Sequence, residues 1–221
     1  MATCFLVLGC ARSGTSVTAG LLHRMGVVMG WELESEDGNP RYDWPDPIEM
    51  NPTGFYQDAP IEEALYAIWG NDYPEPGTRA KPEQLGLFRK LVQMRAARGH
   101  AAWGIKASHM PWVIEEFLEV CTDDVRFVFT DRPHDESARS IKKWFDDSTL
   151  EECKEWVRKA NGQIESVKND PRWSHIPRYT NTFADIYDKT EDTVSALAAF
   201  VGVQARPELV AFVDPSLRRI Q

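Results

Sequence analysis

The chain has 221 residues, 43% of them hydrophobic, which suits one sizeable α/β domain with its own core and excludes a disordered polymer. A net charge of −9 argues against general affinity for nucleic acid or anionic membranes, while 25 lysines and arginines remain for a local cationic pocket. No stretch approaches the roughly 18 apolar residues of a membrane span, and four scattered cysteines without a Cys-x-x-Cys pair point to reduced thiols in a cytoplasmic protein.

Residues 3–8, "TCFLVL", form a short apolar run suited to a strand buried on both faces. Beyond Gly14 the period changes, with Val17, Leu21, Leu22 and Met25 recurring at helical spacing until Gly26. Residues 31–60, with five prolines and many turn formers, read as a long connection of the kind that serves as a lid or binding loop. Helices are expected at about 60–69 and 82–98, then a short strand at 102–106, "AWGIK". Pro111 is placed to open a helix running to about Val120.

The strand at 125–131, "VRFVFTD", is followed by a helix to about Phe145, and a charged helix covers 149–168. A further strand is expected at 177–180, "PRYT". Thr190 then stands to cap a helix that places Val194, Leu197 and Val201 on one face and ends at Gly202. Strands alternating with helices predict an α/β fold with a central parallel sheet flanked by helices. It is a three-layer sandwich of the P-loop NTPase-like kind, in a single domain over 1–221.

The turn between the first strand and helix carries the chemistry. In "VLGCARSGTS" the spacing Gly9-x-x-x-x-Gly14 matches a phosphate-binding loop, and Ser16 stands where a magnesium-binding hydroxyl would. The expected lysine is Thr15, and the nearby cation is Arg12, inside the loop. Free N–H groups and the helix dipole favour an anion there. Ser13, Thr15 and Ser16 add hydroxyls, and Arg12 adds charge-assisted hydrogen bonds. Without the lysine that bridges β- and γ-phosphates, γ-phosphoryl transfer is poorly supported. A nucleotide held by one 5′ phosphate, with another group to transfer, fits better.

"CARSGTSVTAGLL" resembles the 5′-phosphosulfate loop of the sulfotransferases that use PAPS (3′-phosphoadenosine 5′-phosphosulfate). That family holds the 3′ phosphate with an arginine at a strand end and a serine eight residues later. Arg132, after "VRFVFTD", and Ser140 match that pattern. The segment ending Phe200-Val201-Gly202 is similar to the family's late strand and helix, and "FVDPSLRR" resembles the C-terminal segment of bacterial members, a resemblance that would bring Arg218 and Arg219 toward the 3′ phosphate. The resemblance implies PAPS as co-substrate, 3′,5′-ADP as product, and a small-molecule or carbohydrate acceptor offering a hydroxyl or amine. It implies cofactor contacts from Arg12, Ser13, Gly14, Thr15, Ser16, Arg132 and Ser140, and no metal.

For catalysis, "IKASHMP" resembles the family's Lys-Thr-His-Leu-Pro segment. Lys106 would then steady the leaving phosphate and His109 would act as base, although an extra residue separates them here. Other branches use a glutamate after the loop and helix, where Glu32 and Glu34 lie. "NPTGFYQD" resembles a bacterial stretch in which the family glutamate is Gln57 here, leaving Asp58. The base therefore stays open among His109, Glu32, Glu34 and Asp58. Trp31, Trp44, Trp69 and Trp112 flank this region in sequence and offer rings for stacking. Two other readings compete: a P-loop small-molecule kinase using ATP, and a nucleotide-binding protein that has lost its base.

Overall fold

Five short runs, most rich in apolar or aromatic residues, become the strands of one sheet. In the computed structural model, which describes residues 2–30, 56–145 and 147–217, these are β1 (Thr3–Gly9), β2 (Val28–Met29), β3 (Ala102–Lys106), β4 (Asp124–Asp131) and β5 (Arg178–Thr182). They pair in parallel, in the order β2-β3-β1-β4-β5. From β1 the chain leaves toward one edge, and from β4 toward the other, so a crevice opens at the carboxyl ends of these adjacent strands.

Alternation along the strands sorts the core into two layers. Cys4, Leu6 and Leu8 of β1, Trp103 and Ile105 of β3, and Phe127 and Phe129 of β4 share one buried cluster. It is covered by α2 (Ala59–Trp69), α3 (Gly86–Ala96), α4 (Ile114–Val120), α5 (His134–Lys142) and α6 (Leu150–Asn169). Phe5, Val7 and Val128 belong to the opposite cluster. There they meet α1 (Thr15–Arg24), α7 (Phe183–Asp188), α8 (Thr190–Val201) and α9 (Pro207–Phe212). The result is the expected sandwich of helices, parallel sheet and helices.

Several local expectations shift. The helix at 82–98 starts as a 3₁₀ turn, Pro82–Gln84, and becomes α-helical at Gly86. Pro111 sits in a 3₁₀ turn, Met110–Trp112, and Val113 (φ −124°, ψ 21°) leaves helical geometry before α4 begins. Thr190 is the first residue of α8 and not its cap. Its hydroxyl donates back to Ile186 O at 2.8 Å, because α7 runs directly into α8. Gly202 closes α8 with φ 90°, the left-handed conformation that glycine adopts without cost. The two-residue β2, α7 and α9 are additions to the expected set. Among the described residues no helix is long and apolar enough to cross a membrane.

One buried ion pair ties the entrance of the site to the sheet edge. Arg95 Nε of α3 meets Asp58 Oδ2 at 2.9 Å, with both side chains fully buried. Arg95 Nη2 also donates to Gly30 O at 2.8 Å and Val28 O at 3.2 Å, beside β2. Asp58 is thereby the N-cap of α2, accepting from Ile61 N at 3.4 Å, and its carboxylate is occupied structurally. Asp58→Ala leaves a buried guanidinium without its counter-ion. A stability loss of about 3–5 kcal/mol is expected in urea denaturation, and an unchanged midpoint would remove the pair from its structural role.

Candidate functional site

The loop between β1 and α1 is shaped by backbone geometry that few residues adopt. Arg12 has φ 67° and Gly14 has φ 97°, so two left-handed residues fall within one turn. An L side chain at such a φ costs about 1–2 kcal/mol, and such strain persists where surrounding bonds impose it. Ser13 N donates to Cys10 O at 3.1 Å, and Thr18 N donates to Gly14 O at 3.0 Å, which begins α1. Turns of this kind gather successive N–H groups into a concavity for an anion. The opening N–H groups of α1, from Thr15 onward, lack intrahelical partners and extend that concavity.

Beneath the loop, β1 and β4 are in register so that Gly9 lies opposite Thr130. Ser13 Oγ and Thr130 Oγ1 share a hydrogen bond of 2.8 Å, fully buried. Ser13 thus gives its N–H to Cys10 O and joins Thr130 through its hydroxyl, so it shapes the loop. Thr15 is buried and Ser16 half-buried at the start of α1.

The second motif closes on the first. Arg132 Nη1 donates to Arg12 O at 2.9 Å, and Arg12 Nε donates to Ser140 Oγ at 3.2 Å. Arg132 also pairs with Glu136 Oε2 at 3.3 Å and lies 3.9 Å from the centre of the Phe183 ring. Trp144 faces Arg12 at 5.7 Å. Burial raises the Tyr187 hydroxyl above its ordinary pKa, while Arg12 and Arg132 together pull it back, which puts Tyr187 in the field of both guanidinium groups.

At the carboxyl end of β3, Lys106 is 8% exposed. Burial pulls its ammonium down to about 8, opposed by Glu62 and assisted by Arg12. Glu62, 1% exposed on α2, accepts from Gln57 Nε2 at 3.0 Å and from Ser108 N at 2.8 Å. His109 lies beyond this turn, inside a ring of Tyr66, Trp69, Tyr73 and Trp112, with centroids 5.1–6.0 Å away. Its Nε2 lies 3.2 Å from Asp72 O, so the ring donates there. A neutral imidazole donating from Nε2 leaves Nδ1 as a bare acceptor, and among the described residues Nδ1 has no partner. Burial lowers the His109 pKa below 6.5, which keeps the ring neutral at physiological pH.

Of the residues anticipated from sequence, Arg12, Ser140 and Arg132 are joined by hydrogen bonds, and Lys106 approaches Arg12 electrostatically. His109 sits one turn further out, behind aromatic rings. Glu32, Glu34, Trp31, Trp44, Arg218 and Arg219 lie outside the described residues. Trp69 and Trp112 pack on His109. Sequence reasoning missed Glu62, Trp144, Phe183 and Tyr187. Phe183 and Tyr187, four apart on α7, share a helix face.

The absence of a side chain at Gly9 is a requirement of this site. A Cβ there would stand 2.7 Å from both Ser13 Oγ and Thr15 Cγ2 and overlap Thr130 Oγ1. Gly9→Ala is expected to lower stability by about 1–3 kcal/mol through overpacking and to abolish anion binding at the loop. Chemical denaturation and titration with 3′,5′-ADP check both, and a variant that keeps its stability and its binding would mean the loop adapts freely.

No family model and no curated protein matches the chain. Solved structures do. The sulfotransferase domain of the Synechococcus PCC 7002 olefin synthase aligns with a TM-score of 0.58 at 13% identity, over 99% of this chain and 88% of that one. The sulfotransferase domain from the curacin biosynthetic pathway gives 0.56 at 14%, over 100% and 92%. Sulfotransferase STF1 from Mycobacterium tuberculosis H37Rv gives 0.53 at 13%, over 96% and 71%. At such identities the likeness is one of architecture: this chain has the fold of a sulfotransferase domain.

Proposed function

We propose that the protein is a sulfotransferase that moves a sulfuryl group from PAPS to a hydroxyl or amine of a small-molecule or carbohydrate acceptor. The observation that carries the reading is the joining of two phosphate motifs, far apart in sequence, in one crevice. Arg132 donates to Arg12 O at 2.9 Å, and Arg12 donates to Ser140 at 3.2 Å. A nucleotide with phosphates on both 3′ and 5′ positions suits two anchors; ATP, with its phosphates in one chain, does not need the second.

In this reading the N–H groups of Gly14 and of the first turn of α1, with the hydroxyls of Thr15 and Ser16 and the Arg12 guanidinium, hold the 5′ phosphosulfate, and Ser13 shapes the loop around it. Arg132 and Ser140 hold the 3′ phosphate. The acceptor oxygen or nitrogen forms a bond to sulfur as the bond between sulfur and the bridging oxygen breaks. That electron pair passes to the 5′ phosphate, where the Lys106 ammonium meets it. The acceptor proton goes to a base, and 3′,5′-ADP leaves. Of the four candidates, His109 is supported by its neutral ring and unpartnered Nδ1. The Glu34 alternative remains a proposal from sequence. The protein is proposed to act in the cytoplasm as one domain over its length.

Calorimetric titration tests the co-substrate. Binding of 3′,5′-ADP is expected to exceed that of ATP with magnesium. Arg132→Ala is expected to weaken 3′,5′-ADP by roughly 10–100-fold, the worth of a charge-assisted contact, while weakening AMP far less. Preference for ATP would establish the kinase reading instead, and equal, weak binding of both nucleotides would remove the 3′-phosphate site.

The pH dependence follows from two perturbed groups. Lys106 must be protonated, and that form is lost as pH rises through about 8. His109 must be neutral, and that form is lost as pH falls below a value under 6.5. Release of 3′,5′-ADP from PAPS with an alcohol or phenol acceptor is therefore expected to be bell-shaped, with its alkaline limb near pH 8. Lys106→Met should abolish that limb and slow turnover by about 10²–10³-fold, as for loss of a preorganised electrostatic contact. A rate flat through pH 8 in the wild type would exclude Lys106 from the step.

A further inference from the structure

Glu62 is a buried carboxylate that the transfer step does not use directly. Burial of an ion costs several kcal/mol unless it is paired and hydrogen-bonded, and at 1% exposure Glu62 is held on every side. Oε1 accepts from Gln57 Nε2 at 3.0 Å, Oε2 accepts from Ser108 N at 2.8 Å, and the Tyr66 hydroxyl also bonds to the carboxylate. Asp58 N, one turn earlier, donates to Lys106 O at 3.4 Å. The first turn of α2 is thus fastened at two points to the segment 106–108. A carboxylate held by this many donors is fixed in place and serves as a scaffold for the turn.

We propose that Glu62 is the positioning residue of the transfer site: it locks the 106–108 turn and holds Lys106 as an ammonium aimed at the leaving phosphate. The groups around Lys106 support this. From the loop, Arg12 opposes the ammonium, as does burial; from α2, Glu62 favours it. Tyr66, Tyr73 and His109 face the same carboxylate: burial dominates the shift of each, and Glu62 adds to the rise of the two tyrosines and opposes the fall of His109. Loss of Glu62 would remove an influence that favours the Lys106 charge while burial and Arg12 still oppose it. The inference rests on the sulfotransferase reading for the purpose of the ammonium, and not for its charge state.

The test reads Lys106 directly. In protein carrying ¹³C-lysine, the Lys106 Cε resonance, assigned through Lys106→Arg, is titrated with pH. The wild-type midpoint is expected near 8. In Glu62→Gln, which keeps shape and loses charge, it should fall by roughly tenfold or more in proton affinity. In Glu62→Asp it should stay above the Gln variant. A folded Glu62→Gln with an unchanged midpoint overturns the proposal. If Glu62→Gln does not fold, Lys106→Met/Glu62→Gln is expected to fold, since removing both members of a buried pair is tolerated where removing one is not. Failure of the double variant to fold would make Glu62 a purely structural residue. Neither result depends on nucleotide, so a wild type that ignores 3′,5′-ADP would sink the sulfotransferase reading alone.

Discussion

The site depends on the meeting of two hydroxyls beneath a glycine. Parallel pairing puts Gly9 opposite Thr130, and the space that Gly9 leaves is filled by Ser13 Oγ bonding to Thr130 Oγ1 at 2.8 Å. That bond folds the loop back onto β4, which brings Arg12 O within 2.9 Å of Arg132. The left-handed strain at Arg12 is then held by three bonds: the Ser13–Cys10 turn, the Arg132 contact and the Ser140 contact. A loop preorganised in this way presents its N–H groups to an anion without reordering at the moment of binding.

Electrostatics in the crevice run against those of the chain. The protein carries a net charge of −9, yet Arg12, Lys106 and Arg132 converge at the carboxyl ends of three adjacent strands. Each cation is partly withdrawn from water, which strengthens its pull on a bound anion and raises the cost of its own charge. The protein meets that cost locally. Glu136 stands by Arg132, Glu62 by Lys106, and the ring of Phe183 lies under the Arg132 guanidinium. A concentration of cations of this kind suits a small anionic ligand even on a chain of net negative charge.

Much of this was legible in the chain. The short runs at 3–8, 102–106 and 125–131 and the helical spacing after Gly14 each correspond to an element within a residue or two, because buried strands and amphipathic helices impose local patterns. The loop and the Arg132/Ser140 pair were legible for a related reason: their chemistry requires fixed spacings along one strand, turn and helix. β2 and α7 were not legible. β2 is two residues long and exists through its pairing with β3, and α7 is a six-residue helix capped by Thr182.

The residues whose roles depend on distant neighbours escaped the sequence. Glu62 reads as one acid in an ordinary amphipathic helix, and Asp58 reads as a candidate base. Arg95, 37 positions after Asp58, makes it an ion-paired cap instead. His109 reads as a candidate base near Lys106, and in the structure four aromatic side chains enclose it. What the sequence by itself determined was the class of fold and the spacing that sets Arg12 in its loop and Arg132 and Ser140 after their strand. Only the tertiary structure decided which charges are paired, which hydroxyls are already taken and which carboxylate stands beside Lys106. Spacing along the chain encodes local geometry, while burial and charge pairing are set by residues that meet only once the sheet has assembled.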